Sequence, residues 1–147
     1  MTVRLAVPPR SRQLPRVDSR RLRSRALRVL RALDRSSSEL SIAIVDDAEM
    51  AALNSEHRGK QSPTDVLSFS LLDGEHSDRR GPLLGDVVIG IETASRQARA
   101  GRRGLDEEVA RLLIHGILHL LGWDHEDPQE AGRMRAEEQR LWRAIRS

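Results

Sequence analysis

The chain has 147 residues and no cysteine, and its 25 Lys and Arg against 22 Asp and Glu give a formal net charge of +3. That length is enough for one domain (residues 1–147) with its own hydrophobic core. The missing cysteine excludes disulfides and thiolate metal ligands and points to a reducing, cytoplasmic setting. No apolar run approaches the roughly 20 residues that span a bilayer, and "MTVRLAVPPRSR" has no signal-peptide core; no membrane partner is expected. The charge is unevenly spread. Residues 1–35 hold 11 Arg against Asp18 and Asp34, a net of +9, which leaves the remainder acidic. Such asymmetry is what a nucleic-acid footprint looks like, although a solvated Arg-rich helix looks the same. With Phe69, Trp123 and Trp142 as the only aromatics, an aromatic base-stacking platform is not expected.

In chain order, "VRLAV" (3–7) alternates as a strand. Asp18 caps a helix reaching about Leu33, with Leu22, Ala26, Val29, Leu30 and Leu33 on one face. "ELSIAIV" (39–45) is a second strand, and Asp46 and Asp47 open a short helix carrying Met50 and Leu53. "TDVLSFSL" (64–71) is a third strand, placed just after Pro63. A polar, turn-rich loop over 73–82 leads to a short fourth strand, "GDVVIG" (85–90). A helix across "TASRQARA" ends at Gly101 and Gly104. The next helix runs from about Leu105 to Leu121. In "DPQE", Asp127 is the N-cap, Pro128 the first helical residue and Glu130 the third. The last helix carries Ala131, Met134, Leu141 and Ile145 as its apolar stripe. This order predicts an α+β domain with a mixed four-stranded sheet and about five helices, the central buried helix carrying a metal site.

That helix is apolar nearly all round, so it belongs in the core. Its polar residues are not scattered: Glu108, Arg111, His115 and His119 fall within about 80° of one another. His115 and His119, at i and i+4, can both reach one ion at about 2.0–2.1 Å. Gly122 then stands where a left-handed residue would end the helix, and the returning chain brings His125 to the same point. Three neutral imidazoles leave a fourth tetrahedral position for water, as in catalytic zinc sites. Zinc suits such ligands, and nickel or another divalent metal is an alternative occupant. One buried histidine alone is more often a hydrogen-bonded core residue; three at this spacing on the one polar stripe are read as metal ligands.

The same offsets occur in metzincin proteases, which carry a glutamate general base directly after the first histidine. Here that position is Gly116, so proteolysis by that route is not expected. Met134 fits the core stripe better than a metzincin Met-turn. Asp124, Glu126 and Asp127 are candidates for orienting a histidine, but acids before a helix commonly serve as caps.

"HGILHLLGWDH" closely resembles the signature of the YbeY family of metal-dependent endoribonucleases and rRNA maturation factors. "LNSEHRGKQSPTDVLSF" (53–69) resembles a second block of that family and "LGDVVIG" (84–90) a third, so the resemblance spans about residues 39–145. Two positions depart from it: His57 stands where an aromatic is expected, and Ser70 where a proline usually follows the Phe. The resemblance implies His115, His119 and His125 as zinc ligands and Arg58 as the basic residue of the cleft. It implies a small α+β fold with the metal against the sheet. The implied task is maturation of the small-subunit rRNA 3′ end, with a role in late ribosome quality control. The expected partners are single-stranded RNA, small-subunit rRNA, ribosomal particles and ribosome-associated proteins. A metal-braced, non-catalytic ribosome-assembly factor is the alternative, and a peptide metallohydrolase a more distant one.

Overall fold

The alternating "ELSIAIV" becomes a strand over Glu39–Val45 (β2) with every second residue buried, as its pattern predicts. In the computed structural model, which describes residues 2–9, 13–59, 64–70, 83–123 and 126–146, with Thr2, His57 and Arg58 by backbone alone, β2 is an inner strand. The other elements are β1 (Thr2–Ala6), α1 (Ser19–Ala32), α2 (Asp47–Arg58), β3 (Val66–Ser70), β4 (Leu83–Gly90), α3 (Ile91–Ala100), α4 (Leu105–Leu120) and α5 (Pro128–Ile145). The sheet order is β1-β2-β4-β3. β1, β2 and β4 run parallel, and β3 lies antiparallel on the edge beside β4. This is the mixed four-stranded α+β arrangement that the element order predicts.

β4 is flanked by β2 and β3, and both its faces are covered. Val87 and Ile89 join the main core with residues of α1, α3, α4 and α5. Val88 joins a smaller cluster with Val45, Met50 and Leu67 on the α2 side. Three helices start at the expected aspartates, whose carboxylates accept from the backbone N–H three residues on: Asp18 from Arg21, Asp46 from Glu49 and Asp127 from Glu130. The Asp127 contact accounts for that acid as a cap.

The differences are local. β3 begins at Val66 rather than residue 64, because the Asp65 carboxylate accepts the Val66 N–H and its carbonyl accepts from Gly90. Helix α3 does end near Gly101, but Arg102 takes the left-handed conformation at φ 54°. The backbone N–H groups of Arg102 and Arg103 close the turn on Arg99 and Ala98. Pro63 and the 73–82 loop lie outside the described residues. No described helix is long and apolar enough to cross a membrane.

Arginines of α1 hold elements together. Arg23 donates to the Val3 carbonyl, and Arg28 donates to the Ala144 and Ile145 carbonyls at the end of α5. A cation there satisfies terminal acceptors and opposes the negative end of the helix dipole. Part of the Arg-rich segment is therefore structural.

Candidate functional site

From Glu108 to Leu120, every residue of α4 is buried except Arg111, His115 and His119, spaced four apart. The polar stripe expected from the sequence is thus the only opening along that length of helix. The two imidazoles meet edge to face, with ring centroids 4.5 Å apart at 78°. Their Nε2 atoms stand 3.0 Å apart. Two nitrogens bound to one tetrahedral ion at 2.0–2.1 Å lie roughly 3.4 Å apart, a spacing that a small ring rotation would reach. The donor pair therefore fits a single cation.

His115 has a second partner. Its Nδ1 lies 2.7 Å from Oε2 of Glu138 on α5. A carboxylate only accepts, so Nδ1 carries the hydrogen and, in the neutral ring, the Nε2 lone pair is left facing His119. Glu138 was not picked out from the sequence, although the signal was present. Met134, Leu141 and Ile145 are buried, and Glu138 falls among them at helical spacing, a carboxylate inside an apolar stripe.

Helix α4 stops as its glycine predicts. Gly122 has φ +93°, its N–H donates to the His119 carbonyl, and the Trp123 N–H donates to the Leu118 carbonyl. This is the Schellman arrangement, which returns the chain toward the helix it has just left. His125 and Asp124 lie outside the described residues. Among the described residues, no group of three or more metal-ligating side chains comes together. Arg58 is the last residue of α2, before Gly59 at φ +69°; its side chain is not among those described. Glu126 is exposed.

Edge strand β3 pins the histidine helix. Ser68 donates to the Gly116 carbonyl at 2.9 Å, and Ser70 donates to the Leu120 carbonyl at 3.1 Å. Leu120 is in the last turn, where carbonyls lack helical donors. Ser70, which departs from the expected proline, therefore supplies a hydrogen bond that proline could not. Gly116 marks a close approach of helix and sheet: a Cβ there would lie 2.7 Å from Val87 Cγ1 and 3.2 Å from Ser68 Oγ.

A cleft of about 340 Å³ opens beside His115, lined among others by Asp65, Arg103, Arg111, Arg135 and Glu138. Arg103 pairs with Glu108 at 3.2 Å and Arg111 with Glu107 at 3.0 Å. Burial raises the Glu108 pKa, and Arg103 and then Arg111 oppose that shift. The cleft thus combines an ordered imidazole pair with guanidinium groups whose planar forks match phosphate oxygens.

The family model described as Endoribonuclease YbeY matches residues 10–146. The chain belongs to this family. The match begins well before residue 39, so the Arg-rich helix α1 falls within it. Endoribonuclease YbeY of Anaeromyxobacter sp. (strain Fw109-5) is 52% identical over 145 residues, covering 98% of this chain and 72% of that protein. Endoribonuclease YbeY of Syntrophus aciditrophicus (strain SB) is 38% identical over 144 residues, covering 97% and 89%. The solution structure of TM1509 from Thermotoga maritima superposes with a TM-score of 0.61 at 22% identity, covering 98% of this chain and 91% of that one. That likeness shows the fold. In this YbeY-family chain the two described histidines, Glu138 and the arginine-lined cleft lie together along one side of α4.

Proposed function

We propose that this chain is a single-strand-specific, metal-dependent endoribonuclease acting in small-subunit rRNA 3′-end maturation and late ribosome quality control. In this reading His115, His119 and His125 hold one zinc ion, with nickel or another divalent metal able to replace it in preparations. The substrates and partners are single-stranded RNA, small-subunit rRNA and ribosomal particles in the cytoplasm, a compartment suited to a cysteine-free chain. The observation that carries the reading is the His115–His119 pair, with Nε2 atoms 3.0 Å apart on the single polar stripe of a buried helix. The name shared by its relatives supports RNA as the substrate.

A zinc ion bound there would supply Lewis acidity toward a phosphodiester oxygen and an acidified water. The chain's own residues do the rest. Glu138 accepts the Nδ1 hydrogen of His115 and fixes which ring nitrogen offers its lone pair. Arg103, Arg111 and Arg135 line the cleft and meet the negative charge of the backbone, a role Arg58 shares. Such contacts position RNA without reading its sequence. A metzincin-type peptidase is disfavoured by packing, since position 116 has no space for a glutamate.

The test is metal stoichiometry together with cleavage of single-stranded RNA, in wild type and His115→Ala. Metal and cleavage should be lost together; cleavage at wild-type rate in the variant would overturn the proposal. Metal bound by the wild type without cleavage above background would instead favour the assembly-factor reading. Analysis of the RNA ends then identifies the attacking group, because a cyclic phosphate arises only from the 2′-hydroxyl.

A further inference from the structure

A second basic surface begins one helical turn before His115. Arg16, Arg21, Arg25, Arg111 and Arg146 line a groove of about 690 Å³ around Trp142, at the junction of α1, α4 and α5. Arg111 also lines the histidine cleft, so the two depressions share that side chain as a wall. Residues 111 and 115 are about 6 Å apart along the helix axis.

The groove is held in shape by contacts that engage its two acids. The Asp106 carboxylate accepts the backbone N–H of Asp18 at 3.1 Å, tying the start of α1 to the first turn of α4. Glu107 is occupied by Arg111. Arg25 donates to the Asp106 carbonyl, and the guanidinium groups of Arg25 and Arg111 sit 5.2 and 5.0 Å from the Trp142 ring. Cation–π contact and backbone hydrogen bonding thus fix two of the five arginines. Arg16, Arg21 and Arg146 are exposed and make no ion pair with another described residue. Burial and then the neighbouring charge of Arg21 lower the pKa of Arg25, against the pull of the Asp106 and Glu107 carboxylates.

Gathering like charges costs the fold stability, so an internal packing reason is missing for the three exposed members. A polyanion would supply the missing partner. We infer that the arginine groove around Trp142 is a subsite for the phosphate backbone of single-stranded RNA whose reacting segment lies in the histidine cleft, with Arg111 as the junction. This rests on the proposed RNA substrate. Trp142 is half-buried and flanked by guanidinium groups, so the subsite contributes phosphate contacts rather than base stacking, and it is indifferent to sequence.

The experiment uses fluorescein-labelled oligouridylates, one short enough to fill only the histidine cleft and one long enough to extend past Arg111. Binding is measured by anisotropy across a salt series, with the full chain carrying His115→Ala so that nothing is cleaved. Arg21→Gln combined with Arg146→Gln removes two exposed charges; an unaltered thermal unfolding midpoint checks the fold. Long-RNA affinity should fall roughly tenfold at low salt, and the slope of log K against log salt should flatten by about 1.4, at 0.7 per phosphate contact. Short-RNA affinity should change little. Equal affinity and slope for the long RNA with and without the two substitutions would overturn the subsite alone. Failure of the His115→Ala chain, with both arginines intact, to bind either RNA in a salt-dependent manner would overturn the RNA reading along with it.

Discussion

On the side of α4 that faces α5, the His115 side chain is 30% exposed and reaches Glu138; on the side that faces the sheet, one added carbon at Gly116 would come within 2.7 Å of Val87. These are consecutive residues under opposite demands. A turn of about 100° along the helix carries the chain from a polar opening to a close-packed interface. The comparison explains why the metzincin-like histidine spacing does not bring the metzincin glutamate with it. The position that would carry that carboxylate is occupied by the packing of α4 on β4, so the chemistry available to the histidines must come from other elements. In the proposed site it comes from α5, through Glu138, and from the arginines of the cleft.

The most severe way to break the packing side is Gly116→Val. Overpacking a well-filled interface costs about 1–3 kcal/mol, and valine recovers only a few tenths of a kcal/mol over glycine in helix propensity. Denaturant unfolding should therefore show a loss of about 2–3 kcal/mol. Adding Val87→Ala makes room and should recover part of it, a coupling that two independent sites would not show. A Gly116→Val protein as stable as the wild type would mean that the helix can lift off β4 without cost.

The polar side is sharpened by Glu138→Gln, which keeps the shape of the side chain but removes its charge. Losing an orienting partner of a metal-bound histidine typically costs 10–100-fold in metal affinity. Competition against a chelator should show a fall of that order, and nitrogen shifts of the His115 ring should show mixed tautomers where the wild type shows Nδ1–H. Unchanged affinity and an unchanged tautomer would remove Glu138 from the site.

Gly122→Ala probes the end of the same helix. At φ +93° a Cβ is unfavourable by about 1–2 kcal/mol, which thermal or denaturant unfolding will register. If the turn also delivers His125, metal affinity falls as well. Loss of stability with full retention of metal affinity would separate the turn from the proposed third ligand.

The sequence carried the parts of this comparison that depend on period and spacing. The Arg111–His115–His119 stripe, the aspartate caps and the Gly122 turn each follow from a local rule, and each is present. Glu138 was legible too, as a carboxylate among Met134, Leu141 and Ile145, but its partner 23 residues away was not. The meaning of Gly116 was half legible: its missing carboxylate could be read, whereas the reason depends on Val87 approaching from another element. The same limit applies to the left-handed Arg102, since propensity favours glycine there and Gly101 stands beside it. The groove around Trp142 needs three helices to assemble, and no window of sequence contains them.

The smallest expected effect lies at the other end of the polar stripe. The Glu108 side chain is 9% exposed and lies 3.2 Å from Arg103, which is 35% exposed. Burial is the largest influence on its pKa and raises it above the ordinary 4.5, against the pull of Arg103 and Arg111. A carboxyl group with a raised folded-state pKa costs the fold stability when ionised. That cost is complete above the folded pKa and is relieved as pH falls through it toward 4.5. Glu108→Gln removes the charge while leaving a half-exposed Arg103 that water can solvate. The variant should therefore match or exceed the wild type near neutral pH, by less than about 1 kcal/mol, and lose that advantage as the pH approaches 4.5. Unfolding free energies of both proteins across this range decide it. A variant that is weaker at neutral pH and gains relative to the wild type in acid would show that the Arg103 ion pair outweighs burial, reversing the balance assigned to this end of α4.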